Sequence, residues 1–310
     1  MTHSPTLPAL RRSPALAPIQ HAGSPAHAAR TDHASDHLRV GRRVSPRTRA
    51  LLAATCLALC TGVHAQAAPQ SPPEGLSGRI GMLVSTTPTY EGSPDDRTLV
   101  SPDLTLTYRS REWGTVQFGQ RGLAWNAIET GRFRLALVAQ FDLGRKDRDT
   151  STWNPTPGDD RLAGMGKVRA STEAGVAIGY GPVTLAARQS LGQRGTKGAQ
   201  VDMTIEHAWA VSERLQLHPA LTATWADRDY MQAYFGVTAA QAQATSFAAY
   251  NPTSGCRKVE ATLGAEYALS PTWTLQASLG VSQLGDKAAA SPIVGRRNGT
   301  LLALGVARAF

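Results

Sequence analysis

Alternation of apolar and polar residues over long segments limits most strongly what this chain can fold into. The clearest segments run from Arg132 to Leu143, from Val201 to Ser212 and from Lys258 to Leu269. Each gathers apolar side chains on one face of an extended chain and charged side chains on the other. Similar segments begin at Ser77, Leu99, Gly114, Arg169, Val183, Arg214, Thr272 and Gly299. A helix would spread the same charges around its whole surface, so the pattern predicts β-strands.

Two all-β architectures fit such alternation, a soluble sandwich and a transmembrane barrel. Many segments reach ten residues, the length that a tilted strand needs to cross a bilayer. The last segment, LLALGVARAF, ends at Phe310. Aromatic residues lie near segment ends, where a girdle at the membrane surface would place them: Tyr108, Trp113, Trp125, Trp209, Trp225, Tyr267 and Trp273. The sequence therefore favours an antiparallel transmembrane β-barrel over the sandwich.

Connection lengths predict roughly twelve strands. Counted back from Phe310, long and short connections alternate, as in barrels with loops at one end and turns at the other. The alternation extends to the first strand only if residues 113–128 form two short strands, broken near Arg121 and Gly122. If that segment is a single strand, the count becomes odd.

A secretory leader precedes the barrel in this interpretation. Arg42, Arg43, Arg47 and Arg49 come before a short apolar run over residues 50–60. Small residues then precede a cleavage site after Ala65, as in a signal peptide. We therefore expect an N-terminal extension and signal peptide over 1–65, a periplasmic linker over 66–76 and the barrel over 77–310. A chain built in this way is expected in the outer membrane of a Gram-negative bacterium.

Composition argues against several other function classes. The formal net charge is +9, but residues 1–65 carry +6 of it, so the predicted barrel lacks the basic excess of a nucleic-acid-binding domain. Only Cys256, His207 and His218 follow the leader, and no metal-ligand spacing or nucleophile motif includes them. We expect no enzyme activity, no cofactor and no metal.

The polar faces of the predicted strands would line the lumen. Both signs of charge occur there, so cross-strand ion pairs that fill a small barrel are a more economical interpretation than a selective pore. The candidate lumen charges are Arg132, Arg134, Asp142, Glu173, Arg188, Asp202, Glu206, Lys258, Glu260 and Glu266.

Several loop sequences, taken in order, resemble the MltA-interacting protein family (MipA/OmpV) of outer-membrane proteins. They include PTYEGSPDDR from Pro88, FDLGR from Phe141 and DDRLAGMGKV from Asp159. The two most specific are YFGVTAAQA from Tyr234 and LGDKAAASPIV from Leu284. The resemblance extends from about residue 78 to Phe310, whose terminal aromatic is similar to the signal read by the barrel-assembly machinery.

The resemblance implies a scaffold that holds a membrane-bound lytic transglycosylase and a murein (peptidoglycan) synthase at the outer membrane. Two other functions stay open: a narrow channel for small polar solutes, and a cell-surface adhesin or receptor that acts through the long loops. In the loops, aromatic residues are expected to fold inward and plug the mouth. Gly236 would permit a turn, and residues 239–244 would form a helical turn. The candidate loop and plug residues are Tyr90, Glu91, Tyr234, Phe235, Gly236, Asp286, Ser291 and Pro292.

Overall fold

The computed structural model of the protein describes residues 74–120, 122–149, 153–192 and 197–310. The expected signal peptide and almost all of the expected linker lie outside the described residues. The first strand begins at Gly75, two residues before the expected barrel start at Ser77.

Thirteen strand segments alternate along the described chain with turns and loops. The first seven are β1 (Gly75–Pro88), β2 (Asp96–Ser110), β3 (Gly114–Gly119), β4 (Gly122–Thr130), β5 (Phe133–Asp142), β6 (Ser171–Tyr180) and β7 (Val183–Ser190). The other six are β8 (Ala199–Glu206), β9 (Trp209–Ala210), β10 (Leu215–Ala226), β11 (Gly255–Ala268), β12 (Trp273–Leu284) and β13 (Asn298–Ala309). The expected break near Gly122 separates β3 from β4, which confirms two short strands there.

The strand segments close into an antiparallel barrel of twelve strands, as the connection lengths predict. Each strand pairs with the next one in the sequence, except that β8 and β9 both pair with β10; β10 also pairs with β11, and β13 pairs with β1. Segments β8 and β9 together form one of the twelve strands. Both pair with β10 in the same register, as the pairs Glu206–Ala220 and Trp209–Leu217 show. The interruption lies opposite Pro219, which has no N–H to donate to the neighbouring strand.

The outer surface of the barrel is apolar. Exposed leucine, valine, isoleucine and methionine side chains recur at every second position of the strands, as a lipid-facing wall requires. The expected girdle aromatics are all exposed on this surface, together with Tyr180. Most of them lie close to the turns that connect the strands at one end; Trp225 lies at the opposite end.

The two ends of the barrel differ in their connections. At one end, which we call the short-turn end, connections of two to four residues follow β2, β4, β6, β9 and β11. At the other, the long-loop end, residues 89–95, 143–170, 191–198, 227–254 and 285–297 connect the strands. The long loops contain helices α1 (Arg228–Phe235), α2 (Ala239–Ala244) and α3 (Asp286–Ala289), with a 3-10 turn at Asp160–Leu162.

The barrel wall is lower beside β3 and β4. Strand β3 pairs with β2 only from Leu106 to Ser110, so among the described strands residues 96–104 of β2 pair with β1 alone. The β5–β6 loop lies against this part of β2. The Arg97 guanidinium donates hydrogen bonds to the backbone carbonyl oxygens of Asn154, Pro155 and Thr156, at 2.8–3.1 Å. A loop therefore completes the wall where strands are missing.

Candidate functional site

A packed cap covers the long-loop end of the barrel. We define the cap as residues 89–95, 143–149, 153–170, 227–254 and 285–297. One of its apolar clusters is built around Met231 and Phe235 of α1 with Ala288 of α3, and a second around Leu162 and Ile293. All five side chains are fully buried. Burying side chains of the size of Leu, Ile, Met or Phe contributes about 1.5–3 kcal/mol each. Phe235, one of the aromatic loop residues expected to fold inward, is therefore buried in the first of these clusters.

Local sequence explains why the two helices of the 227–254 loop form. The Asp227 carboxylate caps α1 by accepting a hydrogen bond from the Tyr230 N–H at 2.9 Å. Helix α2 begins with a capping box, in which Thr238 and Gln241 satisfy each other's backbone N–H groups. The helical turn predicted over residues 239–244 is confirmed. The Gln241 amide also donates to the Met165 carbonyl at 2.6 Å, so α2 is attached to the β5–β6 loop.

Gly236 permits the chain to turn for a different reason than expected. Its φ of −75° is open to any residue, so no left-handed conformation requires glycine. A Cβ atom at this position would lie 2.1 Å from Gln232 Nε2 and 2.5 Å from the Gln232 carbonyl oxygen. Close packing against the end of α1 therefore accounts for the glycine.

The 285–297 loop is hydrogen-bonded to the end of α1. Ser291 is buried, and its hydroxyl donates to the Phe235 carbonyl oxygen at 2.5 Å. Pro292 is half-buried between Ser291 and Ile293. Asp286 does not act as a plug residue: its side chain is 90% exposed, and it pairs with Arg297 on the surface of the loop. It is the first residue of α3, where an acidic side chain is favoured by the helix dipole.

Tyr90 and Glu91 connect the first long loop to the rest of the cap. Tyr90 is buried and donates from its hydroxyl to the Ile293 carbonyl oxygen at 2.7 Å. The Glu91 carboxylate lies 2.8 Å from the Arg257 guanidinium and 3.4 Å from the Lys258 amine. Burial alone would raise the pKa of the Glu91 carboxyl, but these two cations hold that pKa below its usual value.

A polar network fills the lumen beneath the cap. Glu173 is 1% exposed and accepts hydrogen bonds from the Gln140 amide at 3.0 Å and the Gln200 amide at 2.9 Å. Arg188 lies 3.2 Å from Glu173 and 2.7 Å from Asp202. Because several polar groups share each charge, the desolvation cost of burying these charges is offset.

Arg257 belongs to the same network although strand alternation would point it outward. Its guanidinium donates to Gln200 Oε1 at 2.5 Å and to the Tyr230 hydroxyl at 2.8 Å. The pairing of β10 with β11 shifts here, since Thr224 opposes Lys258 and Trp225 opposes Cys256. Arg257 is the extra residue of this β-bulge, which re-aims its side chain into the lumen.

Three further candidate lumen charges form ion pairs outside this network. Lys258 pairs with Glu260 at 2.6 Å. Glu266 pairs with Arg79 at 2.7 Å, and Arg79 also lies 3.7 Å from the buried Asp103. Arg79 is not among the lumen charges predicted from the sequence, although its alternation with Ile80 and Met82 indicates that it faces inward.

Three further lumen candidates have different outcomes. Arg134 is half-buried and directs its guanidinium toward Thr184, 3.4 Å away. Glu206 is half-buried at the end of β8. The prediction for Arg132 is wrong: this residue is exposed in the two-residue turn between β4 and β5. Strand β5 begins one residue later, so the alternation that suggested a lumen position does not include it.

A cavity of about 360 Å³ lies where the cap meets the lumen. Its charged lining consists of Glu91, Asp142, Glu173, Arg145, Arg188 and Arg257. Its aromatic lining includes Tyr230 and Tyr234, whose rings stack at a centroid distance of 4.7 Å, and Arg257 lies over the Tyr230 ring. The volume falls at the lower end of the range of about 300–1,000 Å³ seen for small-molecule pockets.

Tyr234 links two charged residues of this cavity. Its hydroxyl donates to Asp142, while its backbone carbonyl accepts from Arg145 Nη1 at 2.6 Å. Burial is the largest cause that raises the pKa of the Tyr234 hydroxyl, and the neighbouring Asp142 carboxylate adds to it. Tyr234 therefore stays protonated and donates to Asp142 at physiological pH.

The described residues contain no group of three or more histidine, cysteine or acidic side chains placed to hold a metal ion. Cys256, the one cysteine among them, is exposed and free. Within the same residues, no helix has the length and apolar character needed to cross a membrane.

Comparison with protein families identifies the relatives of this chain. The family described as MltA-interacting protein MipA matches residues 80–310. The chain belongs to the MipA family. The match includes the whole cap and every strand except the first residues of β1, and it confirms the resemblance seen in the loop motifs. No curated protein matches the sequence.

Solved structures similar to the MipA-family barrel include several membrane channels and porins. They include the CymD monoaromatic hydrocarbon channel (10% identity, 77% of this chain and 88% of that chain, TM-score 0.36). Another is an anion-selective porin from Comamonas acidovorans (11% identity, 76% and 98%, TM-score 0.30). A third is the toluene transporter TodX from Pseudomonas putida (9% identity, 77% and 90%, TM-score 0.33).

Proposed function

We propose that this protein is a non-enzymatic outer-membrane scaffold that holds murein-degrading and murein-building enzymes at its periplasmic face. The family match carries the proposal, because the family is described by its interaction with MltA. By family resemblance, the partners are a membrane-bound lytic transglycosylase and, through it, a murein synthase.

The arrangement of the barrel supports this orientation of the contact. The cap occupies the long-loop end, which faces the cell exterior in barrels of this kind. A periplasmic partner would therefore meet the short-turn end and the segment before β1. The turns are short, and a standard interface covers about 800 Å² on each partner. The contact would need several turns together with the chain preceding Gly75.

Capture of purified partner enzymes by the immobilised protein tests the proposal. Charge reversal at two exposed turn residues, Arg132→Glu with Arg214→Glu, should reduce capture of the lytic transglycosylase. Arg228→Glu, an exposed residue of the cap, is the matched control and should leave capture unchanged. If wild-type protein captures neither enzyme, or if the cap variant loses capture as strongly as the turn variant, the scaffold proposal fails.

A narrow channel for small polar solutes is the second candidate. The observation in its favour is the accessibility of the lumen near the short-turn end, where the side chains of Arg79 and Glu266 are each 34% exposed. Planar-bilayer conductance separates the two functions. Steady single-channel steps that change with Arg134→Ala or Glu206→Ala would favour transport. A folded barrel without conductance would favour the scaffold.

A further inference from the structure

The lumen is accessible to solvent at the short-turn end. Gln117 of β3 and Gln216 of β10 face inward, because they pair with Thr107 and Glu266 on the lumen faces of β2 and β11. Both glutamines are exposed. The side chains of Arg79 and Glu266 are each 34% exposed. We call the space lined by Gln117, Gln216, Arg79 and Glu266 the vestibule.

The vestibule narrows toward the cap. Glu173, Gln200 and Thr224 face the lumen nearer the cap, and all three are buried. Gln117 lies three residues from Gly114, where β3 begins at the short-turn end, so the accessible depth is about 10 Å along a strand that rises about 3.3 Å per residue. The accessible space therefore opens toward the short-turn end, which the scaffold proposal places in the periplasm.

The number of strands sets the width of the vestibule. With twelve strands about 4.8 Å apart and tilted by about 40°, the backbone wall has a diameter of about 24 Å. A layer of side chains takes about 5 Å on each side, half the distance between packed sheets, which leaves about 14 Å. One extended chain fits this width, whereas a folded domain of about 100 residues has a radius of gyration of about 13 Å and does not.

The lining suits a polar peptide of low net charge. Besides the buried Asp103, the charged residues that face the lumen around the vestibule carry three charges of each sign. They are Arg79, Arg109, Arg134, Glu129, Glu206 and Glu266. The Gln117 and Gln216 amides each offer both donors and an acceptor. Backbone N–H and C=O groups of an extended chain are suitable partners for such amides.

The turns alone offer little area to a partner. A standard interface covers about 800 Å² on each partner, whereas the connections at this end contain only two to four residues. The wall of a space about 14 Å wide and about 10 Å deep adds about 400 Å². A partner that enters the vestibule therefore gains about half of a standard interface in addition to its contacts with the turns.

We propose that the vestibule receives an extended polar segment of the lytic transglycosylase, while the folded part of that enzyme rests on the turns. This inference rests on the scaffold function proposed above and names the surface that carries the contact. The Gln117 and Gln216 amides pair with backbone groups of the segment. The balanced charges around them favour a segment without strong net charge.

Capture of the purified lytic transglycosylase by the immobilised, detergent-folded protein tests the vestibule. Gln117→Trp combined with Gln216→Trp fills much of its width, and we expect the apparent affinity for the enzyme to fall at least about tenfold. Gln243→Trp, the same change at an exposed residue of the cap, should leave the affinity unchanged. Heat-modifiable gel migration shows whether each variant folds.

Thiol labelling tests the same contact with smaller substitutions. In a Cys256→Ser background, Gln117→Cys leaves one thiol in residues 66–310 and places it in the vestibule. At an enzyme concentration of about ten times Kd, its reaction with a maleimide should slow about tenfold, since only the unoccupied fraction reacts. Gln243→Cys in the same background should react equally fast with and without the enzyme.

The outcomes separate the two proposals. If the wild-type protein captures no enzyme, both the scaffold and the vestibule contact fail. If the wild-type protein captures the enzyme and the folded double tryptophan variant captures it equally well, the scaffold stands and the vestibule contact is overturned. Undiminished labelling of the Gln117→Cys variant in the complex overturns the vestibule contact as well.

Discussion

The two ends of the barrel lumen handle charge in different ways. Beneath the cap, Glu173 is 1% exposed and is shared among Gln140, Gln200 and Arg188. Toward the short-turn end, the Arg79–Glu266 pair remains about one third exposed on both sides. The same residue types therefore form a buried, multiply bonded network at one end, and at the other a group around Arg79 in which Glu266 is partly solvated and Asp103 is buried. Packing of the loops, rather than the strand pattern, therefore determines how much each lumen charge contributes to the stability of the barrel.

Removal of the main apolar anchor of the cap should have the largest effect. Phe235→Ala empties a fully buried position in the cluster around α1, and such truncations cost about 3–5 kcal/mol. We expect amide hydrogen exchange in residues 228–250 to accelerate strongly, while exchange in β12 and β13 changes little. Phe141→Ala, at a residue that is 69% exposed on the outer surface, is the control. Equal loss of protection in both variants would contradict a separately packed cap.

Loss of one carboxylate charge should destabilise the two lumen regions by different amounts. Glu173→Gln removes a buried charge from Arg188 and should reduce the free energy of unfolding by about 3 kcal/mol. Glu266→Gln removes a partly solvated charge and should cost less than about 1 kcal/mol. Urea unfolding of both variants in the same detergent measures the difference. Similar costs for the two variants would mean that the networks do not differ in the way their burial indicates.

The cap should loosen at acidic pH. The folded-state pKa of Glu91 is lowered, so its contribution to stability is fully present above the pKa of the unfolded chain. That contribution is lost as the pH falls through the lower, folded-state value. Near-UV circular dichroism of the cap tyrosines, recorded from neutral to acidic pH, should show this loss. Glu91→Gln should weaken the cap at neutral pH and flatten the pH dependence. An unchanged pH profile in the variant would exclude Glu91 as the cause.

The smallest effect should come from the capping box of α2. Thr238→Ala removes the side-chain acceptor for the Gln241 N–H and should cost about 1 kcal/mol. Thr238→Ser keeps the hydroxyl and should cost less. Exchange of the α2 amides reports the change locally. Identical exchange in the alanine and serine variants would show that the hydroxyl does not stabilise the helix.

Strand alternation predicted most of the barrel, because lipid on one side and a charged lumen on the other impose a period of two. The same rule identified Glu173, Arg188 and Asp202, which the structure brings together. It failed at Arg257, because a β-bulge interrupts the period, and at Arg132, which belongs to a turn.

Loop positions follow no such period. Phe235 could be assigned to a plug because an aromatic residue in a long loop needs an apolar contact. Arg145 could not be identified as a cavity residue, since its position depends on how the β5–β6 loop packs against α1. The cavity beneath the cap is therefore a product of tertiary packing, and the sequence pattern contains no direct signal of it.

The pairing of β13 with β1 has a consequence for how the protein is made. This seam joins segments separated by more than 200 residues, from Arg79 opposite Ala309 to Thr86 opposite Leu302. Until both segments are present, the wall has two free edges, each with unpaired N–H and C=O groups that a membrane interior cannot satisfy. Closure therefore has to wait for the entire barrel sequence to be delivered. In the interval both edges are open to pairing with other chains, which is a route to aggregation.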